Sequence, residues 1–166
     1  HMTSNESESN KSFTIVIGSD HRGNTAAKQI LETIKNLGHD GWIEGSCDDQ
    51  PCDYPEKAWQ VGQQVTSGKA DRGVLICGTG IGMSIAANKI DGLRAALVHD
   101  ELTAQLSRSH NDANILCLSA DLLGARLMDK IVEVWIGTPF EGGRHQRRID
   151  KITEIEHGRD PSVAVV

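Results

Sequence analysis
The stretch Gly73-Val74-Leu75-Ile76-Cys77-Gly78-Thr79-Gly80-Ile81-Gly82-Met83-Ser84-Ile85-Ala86-Ala87-Asn88-Lys89 decides the fold. Its apolar run ends in a cysteine, three glycines follow at alternate positions, and helix formers come next. This predicts a buried strand, a glycine-rich turn and a helix start. In open α/β sheets such turns lie at the carboxyl ends of strands, where ligands bind. Glycine lets backbone N–H groups approach an anion closely, and a helix N-terminus adds favourable partial charge. Cys77 enters that same field, which favours the thiolate and suits it to abstract a proton beside a carbonyl. The glycines stand at i, i+2 and i+4, not in G-x-G-x-x-G, and no Gly-Lys-Ser/Thr follows, so a nucleotide loop is disfavoured. The plain alternative is a tight turn beside an inert, buried thiol.

Outward from this stretch the chain alternates strand and helix. Strands are predicted at Phe13–Gly18, near Gly41–Ile43, at Val74–Cys77, Leu93–Val98 and Ile115–Leu118. Helices are predicted at Asn24–Leu37, Glu56–Thr66 with Pro55 at the first position, Gly82–Lys89, Glu101–Ser109 and Leu122–Ile136. Gly38 and Gly68 suit helix C-caps. Five such βα units imply a parallel sheet covered on both faces. A basic helix near His145–His157 has no strand after it, as expected of an element that docks on a partner subunit.

The whole is one α/β domain over residues 12–157, with a five-stranded parallel sheet between two helical layers and an extra C-terminal helix. Residues 1–11 form a polar tail that begins with a cloning remnant, His1-Met2, and residues 158–166 form a second tail, loose after Pro161. The formal charge of −6 argues against a general nucleic-acid binder, and 4% aromatic residues make base-stacking platforms improbable. No apolar run approaches the roughly 18 residues of a membrane span, and no signal peptide pattern precedes the first strand. Cys47 and Cys52 fit no zinc spacing, so the four cysteines read as free thiols of a reducing cytoplasmic protein.

Polar residues gather where strands are expected to end: Ser19-Asp20-His21-Arg22-Gly23, the Cys77 loop, His99-Asp100, and His110-Asn111-Asp112 before the fifth strand. Each has a plain reading. Asp20 can cap a helix. His110-Asn111-Asp112 can close one with Asx turns. Arg144, His145, Arg147 and Arg148 can be a solvated face.

Taken in order, several segments resemble the type B ribose-5-phosphate isomerases, a family that includes galactose-6-phosphate isomerase subunits. They are Gly18-Ser19-Asp20-His21-Arg22-Gly23, Asp53-Tyr54-Pro55, Ile76–Lys89, His110-Asn111-Asp112-Ala113-Asn114, and Glu141-Gly142-Gly143-Arg144-His145 with Arg148. They span roughly Thr14–Ile155, and the resemblance implies an α/β fold, a Rossmann-like three-layer sandwich with a five-stranded parallel sheet and an extra C-terminal helix. The resemblance implies a metal- and cofactor-independent aldose–ketose isomerisation, ribose 5-phosphate to ribulose 5-phosphate, in a dimer or tetramer whose sites join two subunits. It implies Cys77 as the base between C2 and C1, Thr79 as an assisting hydroxyl, and His110 from the partner subunit as the ring-opening residue with Asn111 beside it. Asp20, Asp53 and Tyr54 match sugar contacts, and His21, Arg144 and Arg148 match the phosphate set. The backbone of Gly78, Gly80, Ile81, Gly82 and Met83 matches the enediolate cradle.

Two comparisons with the family's pattern refine this. One branch replaces the cysteine by a nearby glutamate, and the corresponding position here is Met83, which places the chain in the cysteine branch. Many members carry arginine after the fifth strand where this chain has Asp121, which either removes one phosphate contact or caps the next helix. Two alternatives stay open: an isomerase of a six-carbon aldose phosphate such as galactose or allose 6-phosphate, and a non-catalytic sugar-phosphate-binding module.

Overall fold
The computed structural model describes residues 11–45 and 52–164. Five strands form one all-parallel sheet in the order β2-β1-β3-β5-β4, with β1 Thr14–Ser19, β2 Asp40–Ile43, β3 Arg72–Cys77, β4 Ala95–Leu97 and β5 Ile115–Ser119. The helices are α1 Asn24–Asn36, α2 Tyr54–Thr66, α3 Ile81–Ala87, α4 Glu101–Ser109, α5 Ala125–Gly137, α6 Arg144–Glu156 and α7 Pro161–Ala164, with a 3-10 turn at His21–Gly23.

Strand alternation divides the core in two. Ile15, Ile17, Val74, Ile76, Leu116 and Leu118 face one layer, where they meet Ile30 and Ile34 of α1, Ala104 of α4, and Met128, Ile131, Val132 and Trp135 of α5. Val16, Leu75, Cys77, Ile115 and Cys117 face the other, against Ala58 and Val61 of α2 and Met83 and Ala87 of α3. Both faces are buried, which is why the central strands read as continuous apolar runs. The chain leaves β1 toward β2 and leaves β3 toward the opposite edge, so the sheet's switch point lies between β1 and β3.

Four expectations change. β4 is only three residues long: Arg94 spends its backbone N–H on the Asn114 side chain, and the register with β5 ends at Leu97, although the Val98 N–H still donates to the Cys117 carbonyl at 3.2 Å. Residues 161–164 are helical, not loose, because Asp160 accepts from the backbone N–H and the hydroxyl of Ser162. The cap of α5 is Gly124, not Asp121, because Asp121 turns toward Arg22 instead. Cys77 and Cys117 are free and buried, but Cys52 is disulfide-bonded. A spacing that fits no zinc site does not exclude pairing between thiols. Cys47 lies outside the described residues.

Candidate active site
Side chains from β1, β3 and the starts of α2 and α3 converge at the carboxyl edge of the sheet. Asp20, Arg22, Tyr54, Cys77, Gly78, Thr79, Ile81, Gly82 and Ile85 line a cleft of about 450 Å³. Cys77 ends β3 with its side chain on the α2 and α3 face, and it is 5% exposed. The Gly80 N–H donates to its Sγ at 3.1 Å, a contact that strengthens when sulfur carries charge. Cys117 is different: it faces the same layer one strand away, and complete burial pushes its thiol far up.

The turn between β3 and α3 is built for close approach. Gly80 caps α3 at φ +80°, and a Cβ there would lie 2.6 Å from Leu97 Cδ1 and 3.1 Å from the Leu118 carbonyl carbon. Gly82 carries the Tyr54 ring: a Cβ would meet it at 2.5 Å. Two N–H groups of the expected cradle have partners within the turn itself. Gly80 N–H goes to Cys77 Sγ and Ile81 N–H to Thr79 Oγ1 at 3.2 Å. Gly82 and Met83, in the first turn of α3, have no intrahelical acceptor for their N–H groups. Asp20 does cap: its Oδ1 accepts from Arg22 N–H at 3.0 Å and Gly23 N–H at 3.1 Å, while the residue still borders the cleft. His21 is exposed in that 3-10 turn, and Asp53 is the exposed residue that opens α2, beside Tyr54.

Sequence reasoning missed the groups that tie the loops together. Ser119 Oγ donates to the Gly78 carbonyl at 2.6 Å and accepts from Leu122 N–H at 3.0 Å. The Arg22 guanidinium meets Asp121 at 2.6 Å across the cleft's rim. The first could have been suspected from a serine ending an otherwise apolar strand; the second has no sequence signal.

The remaining candidates stand elsewhere. In a parallel sheet the loop before a strand lies at the amino edge, so His110-Asn111-Asp112 does not join the strand ends where the sequence reading grouped it. Gly73, near the start of β3, donates to the Asn114 carbonyl, and Gly73 is in register with Ile115 while Cys77 is in register with Ser119. Four residues of parallel strand rise about 13 Å, so Cys77 and His110 of one chain belong to opposite edges. Arg108 fixes the amino edge by donating to Asp112 at 2.8 Å and the Ala113 carbonyl at 2.7 Å. That clamp holds Asp112 at φ +46°, a conformation aspartate tolerates.

At this amino edge His110 ends α4 and stacks on His145 of α6, with ring centroids 4.2 Å apart and planes 12° apart. Glu141 sits 3.4 Å from His145 Nε2, and its N–H donates to the Ser109 carbonyl at 3.0 Å. Desolvation, helped by His110, Arg144 and Arg148 and opposed by Glu141, holds the His145 imidazole below the usual histidine range. Arg144 and Arg148 are exposed on α6, and Asn111 is exposed with its carbonyl accepting from Arg94.

A sequence profile of the Ribose/Galactose Isomerase family matches residues 15–152. The chain belongs to that family. Ribose-5-phosphate isomerase B of Escherichia coli strain K12 is 42% identical over 146 residues, covering 88% of this chain and 98% of that one. The fold matches Clostridium thermocellum ribose-5-phosphate isomerase B with a TM-score of 0.85 and 44% identity, over 87% of this chain and 98% of that one. It also matches Mycoplasma genitalium ribose-5-phosphate isomerase B, a structure with bound ribulose-5-phosphate, with a TM-score of 0.83 and 46% identity over 88% and 97% of the two chains. The matched residues include residues of all five strands and the start of α6, so both edges of the sheet belong to the family's scaffold. No helix among the described residues is long and apolar enough to cross a membrane.

Proposed function
We propose that this chain is a type B ribose-5-phosphate isomerase, converting ribose 5-phosphate to ribulose 5-phosphate and back through an enediolate. The observation that carries the reading is the Cys77 thiol, free at the end of β3, opening on a cleft with Asp20, Tyr54 and Thr79 and held by the Gly80 N–H. The proton beside an aldehyde is weakly acidic, so its removal needs a base together with stabilisation of the developing oxyanion. Cys77 takes the C2 proton of the open-chain sugar and returns it to C1. The Thr79 hydroxyl and the N–H groups of Gly82 and Met83 meet the enediolate oxygens. Asp20, Asp53 and Tyr54 orient the sugar hydroxyls.

The opposite-edge placement of His110 supports a site shared by two subunits of a homo-oligomer. A second copy brings its amino edge to the first copy's cleft, so that His110 opens the furanose ring with Asn111 beside it. Arg144 and Arg148 then bind the phosphate together with His21, and the planar guanidinium fork suits that anion. Arg22 adds a cation at the rim that Asp121 steadies.

Turnover of ribose 5-phosphate against six-carbon aldose 6-phosphates by the purified protein tests the activity and the sugar. Mixing Cys77→Ala and His110→Ala proteins under confirmed subunit exchange tests the shared site. Recovered isomerase activity is expected, and exchange without recovery would refute sites split in this way. Binding of ribose 5-phosphate with no C2 proton exchange would refute the enzyme and leave a binding module.

A further inference from the structure
Three potential metal donors meet at the amino edge, and the isomerisation chemistry needs no metal from them. His110, Glu141 and His145 bring one donor atom each to within 4.8 Å of one another. The spacing follows from the local fold. Glu141 is pinned beside the end of α4 by its N–H bond to Ser109, and Gly142 and Gly143, at φ +69° and +57°, turn the chain so that α6 starts at once. His145 is thereby set against the Glu141 carboxylate at 3.4 Å and beneath the His110 ring.

Bonds of about 2.0–2.2 Å place neighbouring donors on one ion about 3–3.5 Å apart. The Glu141–His145 pair already has that separation. His110 is half-buried at the end of its helix, and its donor atom already lies within 4.8 Å of the other two, so closing onto one ion asks for a side-chain adjustment on the order of 1 Å. Two imidazoles and one carboxylate suit zinc, cobalt, nickel or copper, whereas magnesium and calcium favour all-oxygen shells.

We propose that His110, Glu141 and His145 form an inhibitory site for a divalent transition-metal ion. The ion takes a lone pair from each imidazole and an oxygen of the carboxylate, and water fills the rest of its shell. Any proton on the coordinating nitrogens passes to solvent. The inhibitory part rests on the functional reading above, because a metal on His110 removes the lone pair that ring opening uses. The binding part does not depend on that reading.

Cobalt(II) titration of the full chain, read by visible absorption and calorimetry, tests the binding. One ion per chain is expected, with d–d bands and no thiolate-to-cobalt charge transfer. Glu141 is 60% exposed, so Glu141→Gln leaves the fold in place, and it is expected to weaken cobalt binding at least about tenfold, since even outer-shell partners are worth 10–100-fold. His145→Gln serves as a second variant, and Cys77→Ala is expected to bind cobalt as the parent does. No saturable binding at micromolar cobalt, unchanged affinity in Glu141→Gln, or loss of binding in Cys77→Ala would each overturn the site. Zinc inhibition of turnover is read separately. Inhibition relieved by Glu141→Gln supports the whole proposal. Cobalt binding without zinc inhibition overturns the inhibitory role and speaks against His110 in ring opening, while the metal site itself stands.

Discussion

Replacing Gly80 by alanine tests the turn that positions the candidate base. Two costs add there. The residue sits at φ +80°, and an L side chain in that region costs about 1–2 kcal/mol. Its Cβ would also stand 2.6 Å from Leu97 Cδ1 and 3.1–3.2 Å from the Leu118 carbonyl. The leucine methyl can swing aside, but the Leu118 carbonyl belongs to β5, and overpacking against such a neighbour costs about 1–3 kcal/mol. The sum is about 2–5 kcal/mol, or about 4–20 °C in Tm for a chain of this size. Gly38 provides the comparison that separates the two costs: it has φ +89° and nothing within 4 Å of the added Cβ, so Gly38→Ala carries only the backbone cost. Gly137 has neither a positive φ nor a neighbour within 4 Å, and Gly137→Ala is expected to cost nothing. Urea unfolding of the three variants at one protein concentration gives the ordering Gly80→Ala least stable, then Gly38→Ala, then Gly137→Ala. Coincident midpoints for Gly80→Ala and Gly38→Ala would refute the packing argument, and an unshifted Gly80→Ala would refute the left-handed turn. Gly80→Ala is also expected to lower kcat more than Gly38→Ala, because only Gly80 donates to Cys77 Sγ.

Two other outcomes follow from the same structure. Arg148→Ala is expected to raise KM for the phosphorylated sugar about ten- to hundredfold, the loss of a charge-assisted hydrogen bond worth about 1.5–3 kcal/mol; wild-type kcat/KM in both Arg148→Ala and Arg144→Ala would show that the phosphate lies elsewhere. Burial and the nearby Arg72 hold His39 below the usual histidine range, and its Nδ1 accepts the Phe13 N–H at 2.9 Å. The unfolded chain then binds more protons than the folded one, so His39's contribution is whole above a pH of about 6.5 and is lost as pH falls through the lowered folded value. Unfolding midpoints measured across that range should flatten in His39→Asn, and an unchanged slope would assign the acid sensitivity to other groups.

Much of the architecture was legible because it depends on short-range rules. The apolar runs of Val74–Cys77 and Ile115–Leu118 are buried on both faces, as the strands of a covered parallel sheet between helical segments should be. Gly38 and Gly68 both adopt positive φ just past helix ends, the conformation that suits glycine at such caps. Cys77, Thr79 and the alternating glycines were legible as one site because they are contiguous in the chain. Tyr54, from another helix, needed the family pattern to join them.

What only tertiary structure decided is which residues share a place. Sequence grouped His110-Asn111-Asp112 with the strand ends because it shows polarity but not strand direction. A parallel sheet sends each helix back across its face, so His110 at the end of α4 is returned to the amino edge, a strand's length from Cys77. The same geometry brings Glu141 and His145, more than thirty residues onward, against His110. Asp121 shows the rule at small scale: next to a helix start it reads as a cap, yet Arg22 lies 99 positions away in the chain and 2.6 Å away in space, and the ion pair takes the carboxylate instead. The sequence by itself determines the strands, the helices and the Cys77 turn, because neighbours along the chain set backbone conformation and burial pattern. The partners of His110, Asp121 and Ser119 are decided by folding, because contact depends on the path of the whole chain.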